Sequence, residues 1–359
     1  MTFLIAAAGT GGHVFPGLSV GEALVELGVD KDDVTYVGGD RLESRIYPER
    51  GFRFVSAQVA GLKRSLSAEN LRLPGVVLRA RRLIADQIDS LGVGVVLGMG
   101  GYVTIPAALA ARSRGRVFFN AEQNAEAGLA NKVTARWARA SFVAFPRTAG
   151  LPNGTWVGNP VRRAIREFDR KRLGADARRR YGLDEDLPVL GVFGGSLGAG
   201  VINDAVATMV GKWQGPPIGV VHLTGEAHLE SLSRRPAADG ITWVRVGFEE
   251  EMEWFYGAVD LVIARAGGAV AELTATATPS LLIPGRFGSG GHQQGNARFL
   301  EEAGVAVVVE EAEIAALPDV VTNLLQDRGR LAGMARAAGD IAKPAAALTI
   351  ARTMIEAAP

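Results

Sequence analysis

The chain contains no cysteine, which excludes disulfides, thiolate metal ligands and a cysteine nucleophile. Histidine is scarce too. Its four copies, at positions 13, 222, 228 and 292, are too scattered to predict a metal centre. No run of 18 apolar residues occurs and the apolar N-terminus lacks a basic segment, so neither a membrane span nor a signal peptide is expected. Neither sign of charge dominates, the formal net charge being +1. The balance is uneven along the chain. Residues 1–160 carry 18 Lys and Arg against 13 Asp and Glu, and residues 161–359 carry 21 against 25. A basic front half suits an anionic surface or substrate, but it lacks the basic stripe of a duplex-binding protein, and no nucleic-acid partner is expected.

Abundant are glycine, at 46 of 359 residues, and apolar residues, at 48%. The length suits two domains, each able to bury a core. Strand-like runs fall at Phe3–Ala8, Val34–Val37, Phe54–Gln58, Val93–Gly98, Val117–Phe119 and Ser141–Ala144. Helical patterns lie between them, among them Gly17–Leu27, Pro74–Leu91 and Ile105–Arg112. This alternation predicts an α/β fold with a parallel, doubly wound sheet. The plan restarts after Val157-Gly-Asn-Pro-Val161, with strands at Val189–Phe193, Ile218–Leu223, Thr242–Val246, Leu261–Ala264, Leu281–Pro284 and Ala306–Val309. The predicted domains are 1–159 and 160–342. The last helix, within about 343–359, is expected to return to the first domain.

Each half opens the same way: an apolar strand, a glycine loop, a helix. In the first, Gly9-Thr10-Gly11-Gly12 precedes His13, with the helix predicted from Pro16. Free N–H groups at such a junction form an anion site, and a titratable imidazole beside it suggests chemistry on a phosphorylated substrate. A dinucleotide fingerprint does not fit, because Val14 stands where its third glycine belongs. No Lys-Ser/Thr pair follows the glycines, so this is no Walker loop either.

Seven segments then fall in register along nearly the whole chain. They are GTGGHVFPGLSV (Gly9–Val20), GMGGYVTIP (Gly98–Pro106), AEQNAEAGLANK (Ala121–Lys132), VGNPVR (Val157–Arg162), GGSLGA (Gly194–Ala199), the region Arg265–Pro284 and HQQGNA (His292–Ala297). Together they resemble the MurG family of bacterial cell-wall glycosyltransferases. The resemblance implies two Rossmann-like domains of the GT-B type facing a cleft. It also implies inverting transfer of N-acetylglucosamine from its UDP derivative to lipid I, undecaprenyl-diphospho-N-acetylmuramoyl-pentapeptide, forming lipid II. No metal or other cofactor is implied. The expected location is peripheral, on the cytoplasmic face of the membrane against anionic lipids, alongside other cell-wall synthesis proteins.

The resemblance also assigns residues. His13 is the first candidate base, or else a hydrogen-bond donor to the acceptor diphosphate; Glu122 is the reserve base. Imidazole titrates near neutral pH, at about 6.5 when unperturbed, which suits proton removal from a hydroxyl. Thr10, Gly11, Gly12, Gly100, Gly101, Tyr102 and Asn124 fall on the acceptor side, with a helix N-cap as the alternative role of Asn124. On the donor side stand Arg162, Gly195, Ser196, Phe248, Gly268, Ala269, Val270, Glu272, Gln293 and Gln294. Glu272 matches a carboxylate that accepts from both ribose hydroxyls. The amides of Gly268–Val270 would hold the pyrophosphate, and the two glutamines would read the sugar. The chain departs from the family pattern in carrying Ala121 where histidine is common. Its loop before Glu272 is also one residue shorter and lacks a Ser or Thr. For membrane contact, Leu71–Leu83 joins Val76, Val77 and Leu83 to Arg72, Arg79, Arg81 and Arg82, with Lys63, Arg64, Arg112, Arg114 and Arg116 in the same basic domain.

Overall fold

A computed structural model describes residues 1–57, 73–195, 198–285 and 291–359. It divides into two compact units, Met1–Arg162 with Lys343–Pro359, and Arg163–Ala342.

The first unit carries strands β1 (Thr2–Ala6), β2 (Val34–Gly38), β3 (Arg53–Ser56), β4 (Val93–Gly98), β5 (Val117–Glu122), β6 (Ala140–Val143) and β7 (Thr155–Trp156). They form one sheet in the order β3-β2-β1-β4-β5-β6-β7, every pair parallel. A sheet covered on both faces needs apolar residues at odd and even positions alike, which is why β1 reads as a continuous run. Its alternate residues divide cleanly. Phe3 and Ile5 pack with Val14 and Leu18 of helix Gly11–Glu26 and with Ile350 and Met354 of the last helix, Ala346–Glu356. Leu4 and Ala6 face Ile84 and Ile88 of helix Leu73–Leu91 and Ala107 and Ala111 of helix Thr104–Ser113. On the first of these faces Tyr36 stacks on Tyr47 with ring centroids 3.8 Å apart. Their hydroxyls donate to the carbonyls of Gly17 (3.2 Å) and Val14 (3.1 Å), fixing the first helix against the sheet. Gly21 has no side chain because the Tyr36 phenol fills that space.

The second unit carries β8 (Val189–Phe193), β9 (Ile218–Leu223), β10 (Ile241–Val246), β11 (Leu261–Ala264), β12 (Ser280–Leu282) and β13 (Ala306–Val308). Their order is β10-β9-β8-β11-β12-β13, again all parallel. Leu190, Val192 and Ile263 pack against Ile202 and Val206 of helix Gly200–Gly211 and Leu317 and Val321 of helix Leu317–Gln326.

The two sheets share a strand order that reverses once, between β1 and β4 in the first and between β8 and β11 in the second. Loops diverge at such a point on the carboxyl side and leave a crevice, where doubly wound proteins bind ligands. All the glycine loops singled out in the sequence leave these four strands.

Candidate functional site

In the first unit the loop after β1 meets the loop after β4. The helix starts earlier than the sequence pattern predicts, at Gly11, with Thr10 as N-cap. Gly11, Gly12 and His13 are therefore its first turn rather than a loop, and the N–H groups of Gly11 and Gly12 are among those a helix leaves without internal partners. The His13 ring stands beside the loop, its Nδ1 3.4 Å from the Thr10 hydroxyl. Gly100 lies against its other edge. A Cβ there would come within 3.0 Å of Cδ2 and Nε2 of His13, and the residue holds a φ of +89° that favours glycine. Gly101, at φ +74°, is as close to the first loop, with the Ala8 carbonyl 3.1 Å from where its Cβ would be. Thr104 fixes this second loop by donating its hydroxyl to the Gly100 carbonyl at 2.8 Å. The Tyr102 side chain is exposed beside it.

Glu122 stands in the adjacent strand, at the end of β5, where its carboxylate is engaged by its own chain. Its Oε1 accepts from the backbone N–H (3.0 Å) and side-chain amide (3.1 Å) of Asn124. Its Oε2 accepts from Gly128 N–H (2.9 Å) and from the Asn131 amide (2.7 Å). A carboxylate has about four lone-pair positions, and these four bonds fill them. Buried and engaged at both oxygens, Glu122 is a hub that shapes the loop. Asn124 correspondingly is not an N-cap: it closes a turn onto Glu122, while the next helix, Leu129–Thr134, is capped at Gly128. Asn131 was missed as a separate element of the site. It lies inside the Ala121–Lys132 motif, is buried, and sits 3.3 Å from the position of a Cβ on Gly100, which links the hub to the histidine loop.

A second buried carboxylate was missed outright. Glu43 accepts from Gly39 N–H at 2.9 Å and from Gly9 N–H at 3.3 Å, so it holds the first glycine loop from beneath. Its other oxygen is buried without a hydrogen-bond partner. Burial, and then the charge of Glu43, push the Tyr47 phenol well above the usual tyrosine range, keeping it a donor.

In the second unit the loops after β8 and β11 flank the other reversal. Gly195 and Gly198 both have positive φ, +99° and +76°, and Gly198 packs on the Thr224 carbonyl. Ser196 lies outside the described residues. After β11, Gly268 caps helix Ala269–Ala275. Of the three predicted pyrophosphate amides, the Val270 N–H turns inward to the Gly267 carbonyl (3.2 Å), which removes it from the set and leaves Gly268 and Ala269. Glu272, in the first turn of that helix, accepts from the buried Tyr256 hydroxyl at 3.1 Å. Gln293 and Gln294 lie in the first turn of helix His292–Glu302. Gln293 accepts from Gly285 N–H at 2.7 Å, and Gln294 donates to Glu310 at 3.0 Å. The buried Asn296 donates to the Ala266 carbonyl at 3.0 Å, tying that helix under the β11 loop. Phe248 is exposed just beyond β10. Arg162 is the last residue of the first unit rather than part of the second, and its charge falls on Glu22. Among the described residues no group of three or more His, Asp and Glu is arranged to hold a metal ion.

Residues 3–143 match the glycosyltransferase family 28 N-terminal domain and residues 189–350 its C-terminal domain. The chain is 41% identical over 342 residues to a UDP-N-acetylglucosamine–N-acetylmuramyl-(pentapeptide) pyrophosphoryl-undecaprenol N-acetylglucosamine transferase of Mycobacterium sp. (strain JLS), covering 93% of this chain and 90% of the relative. It is 40% identical to the protein of the same name from Acidithiobacillus ferrooxidans, covering 99% and 97%. Among solved structures it is similar to Acinetobacter baumannii MurG, with a TM-score of 0.79, 27% identity, and coverage of 99% of this chain and 100% of that one.

Proposed function

This chain belongs to the MurG family, within glycosyltransferase family 28, and we propose that it transfers N-acetylglucosamine from UDP-N-acetylglucosamine to lipid I with inversion, making lipid II. The muramoyl 4-hydroxyl attacks the anomeric carbon. As the new C–O bond forms, the bond to the diphosphate breaks and its electron pair leaves with UDP. His13 takes the hydroxyl proton. The observation that carries this role is the imidazole lodged against Gly100, beside amides able to hold the acceptor diphosphate. On the donor side, Glu272, held by the Tyr256 hydroxyl, accepts from the ribose diol, since a carboxylate accepts at both oxygens. The Gly268 and Ala269 amides stabilise charge developing on the leaving diphosphate. A transfer assay with radiolabelled UDP-N-acetylglucosamine and lipid I tests the reading. Labelled lipid II is the expected product, and label passing to some other acceptor but not to lipid I would reject it.

The acceptor's polyprenyl chain brings the reaction to a bilayer surface, since each CH₂ withdrawn from it costs about 0.8 kcal/mol. No described helix is long and apolar enough to cross a membrane. The proposed contact is peripheral and on the cytoplasmic face, and helix Leu73–Leu91 is the surface that suits a peripheral contact. It buries Ala80, Ile84 and Ile88 and exposes Leu78, Arg79 and Arg82. Leu83 packs inward instead, so Val76, Val77 and Leu78 are the apolar residues left to meet lipid. Arg114 pairs with Asp89 and Arg112 lies over Trp137, leaving the Arg79, Arg81 and Arg82 cluster to meet anionic headgroups. Leu71, Arg72, Lys63 and Arg64 lie outside the described residues. Co-sedimentation with anionic vesicles is expected to fall with salt and to be lost in the variant carrying Arg79→Glu, Arg81→Glu and Arg82→Glu, at roughly 1 kcal/mol per residue. Unchanged sedimentation of that variant would place the contact elsewhere.

A further inference from the structure

The two adjacent glutamines are held by partners of opposite kind. An amide side chain can turn either its oxygen or its NH₂ toward a neighbour, so which end faces a ligand depends on what grips the other end. Gln293 is gripped by Gly285 N–H, a group that can only donate. Its oxygen must face that N–H, and its NH₂ is the end left to a ligand. Gln294 is gripped by the Glu310 carboxylate, which can only accept. Its NH₂ must face Glu310, leaving its carbonyl oxygen. The chemistry of the two grips fixes this opposite polarity without reference to how the amide atoms are placed.

Glu310 is itself well anchored. It directly follows β13 and Val309, and the next residue, Glu311, forms an ion pair at 2.5 Å with Arg265, both side chains largely buried. Arg265 also donates to the Ile283 carbonyl at 2.9 Å. The segment that orients Gln294 is thus tied to β11 and to the end of β12 whether or not a ligand is present.

We propose that Glu310 is a positioning residue for donor specificity. It locks Gln294 as an acceptor beside Gln293 as a donor, and the pair reads two neighbouring hydroxyls of the donor sugar. A hydroxyl both donates and accepts, so a freely turning amide would suit either epimer. A locked donor–acceptor pair suits only the hydroxyl arrangement that matches it, and the other leaves half-buried amide atoms unpaired. The inference rests on the reading above, in which these glutamines contact the sugar.

The test compares kcat/KM for UDP-N-acetylglucosamine and UDP-N-acetylgalactosamine in four full-length variants, with UDP affinity measured alongside. Gln294→Ala and Glu310→Ala are each expected to lower the ratio between the two donors by about tenfold, the worth of one hydrogen bond, while UDP binds as in the parent. Glu310→Gln, whose carbonyl still accepts from the Gln294 amide, is expected to retain the ratio. Glu310→Lys can only donate, so it turns the Gln294 amide around and loses the ratio; it decides the matter should the alanine variant not fold. A parental ratio in Glu310→Lys or Glu310→Ala, with the ratio lost in Gln294→Ala, would overturn the role of Glu310 alone. A parental ratio in Gln294→Ala would overturn the sugar-reading assignment beneath it, and this inference with it.

Discussion

The two units use carboxylates at their reversal points in different ways. In the first, Glu43 and Glu122 are buried and bind their own chain: two glycine N–H groups for Glu43, a whole loop for Glu122. In the second, Glu272 is half-buried and accepts from the Tyr256 hydroxyl, and each glutamine is tied at one end. The first unit therefore spends its acidic side chains on shaping loops that offer backbone amides and one imidazole. The second offers the side chains themselves. The difference fits the ligands proposed for each unit: amides and imidazole suit a diphosphate, whereas hydroxyl-rich ribose and sugar need acceptors as well as donors.

The sharpest way to break this comparison is at His13. His13→Ala is expected to lower turnover by about 10²–10⁴-fold with UDP affinity unchanged. Loss only of lipid I affinity would make His13 a diphosphate donor, and near-normal turnover would remove it from the chemistry. Next is the hub. Glu122→Ala strands the buried amides of Gly128 and Asn131, and urea unfolding is expected to show a loss of at least about 2 kcal/mol. Loss of rate in a variant that remains folded would instead point to Glu122 as the base. In the second unit Glu272→Ala is expected to weaken UDP by roughly 1.5–3 kcal/mol, and the parent to prefer UDP over 2′-deoxy-UDP in calorimetry. Equal affinity for the two nucleotides would reject the ribose contact.

Furthest from the ligands, and read in stability alone, is an effect at a residue outside the site. His222 is buried against Asn203 (3.0 Å), and burial, with Arg245 nearby, lowers its pKa from 6.5 to about 3. Between those values the unfolded chain binds a proton that the folded chain does not. Stability is thus expected to decline as pH falls below about 6.5, by up to about 1.4 kcal/mol per pH unit from this group, and to stop declining near pH 3. His222→Gln is expected to flatten that slope, and an unaltered slope would mean that other groups set it.

The architecture was legible because buried parallel strands cannot hide: β4, β8, β9 and β11 begin and end where their apolar runs do. The two-residue β7 was not, since Thr155–Trp156 carries no such run. The start of the first helix is hidden because Gly11 and Gly12 disfavour a helix by propensity, yet their place after Thr10 gives them the first turn. Within the site, the residues on the glycine loops could be found from spacing. The direction in which a carboxylate points could not. Glu122 depends on Gly128 and Asn131, and Glu43 lies in Glu43–Glu49, a short helix whose sequence reads as surface. Hydrogen-bond satisfaction is a three-dimensional property, and no periodicity announces it.

The proposed division of labour places acceptor chemistry on the first unit and donor recognition on the second. Steady-state kinetics with both substrates varied, for the parent, His13→Ala and Glu272→Ala, test it most directly. Glu272→Ala is predicted to raise KM for UDP-N-acetylglucosamine and leave that for lipid I, and His13→Ala to lower kcat and leave the donor KM. A donor KM that rises with His13→Ala, or a lipid I KM that rises with Glu272→Ala, would contradict it.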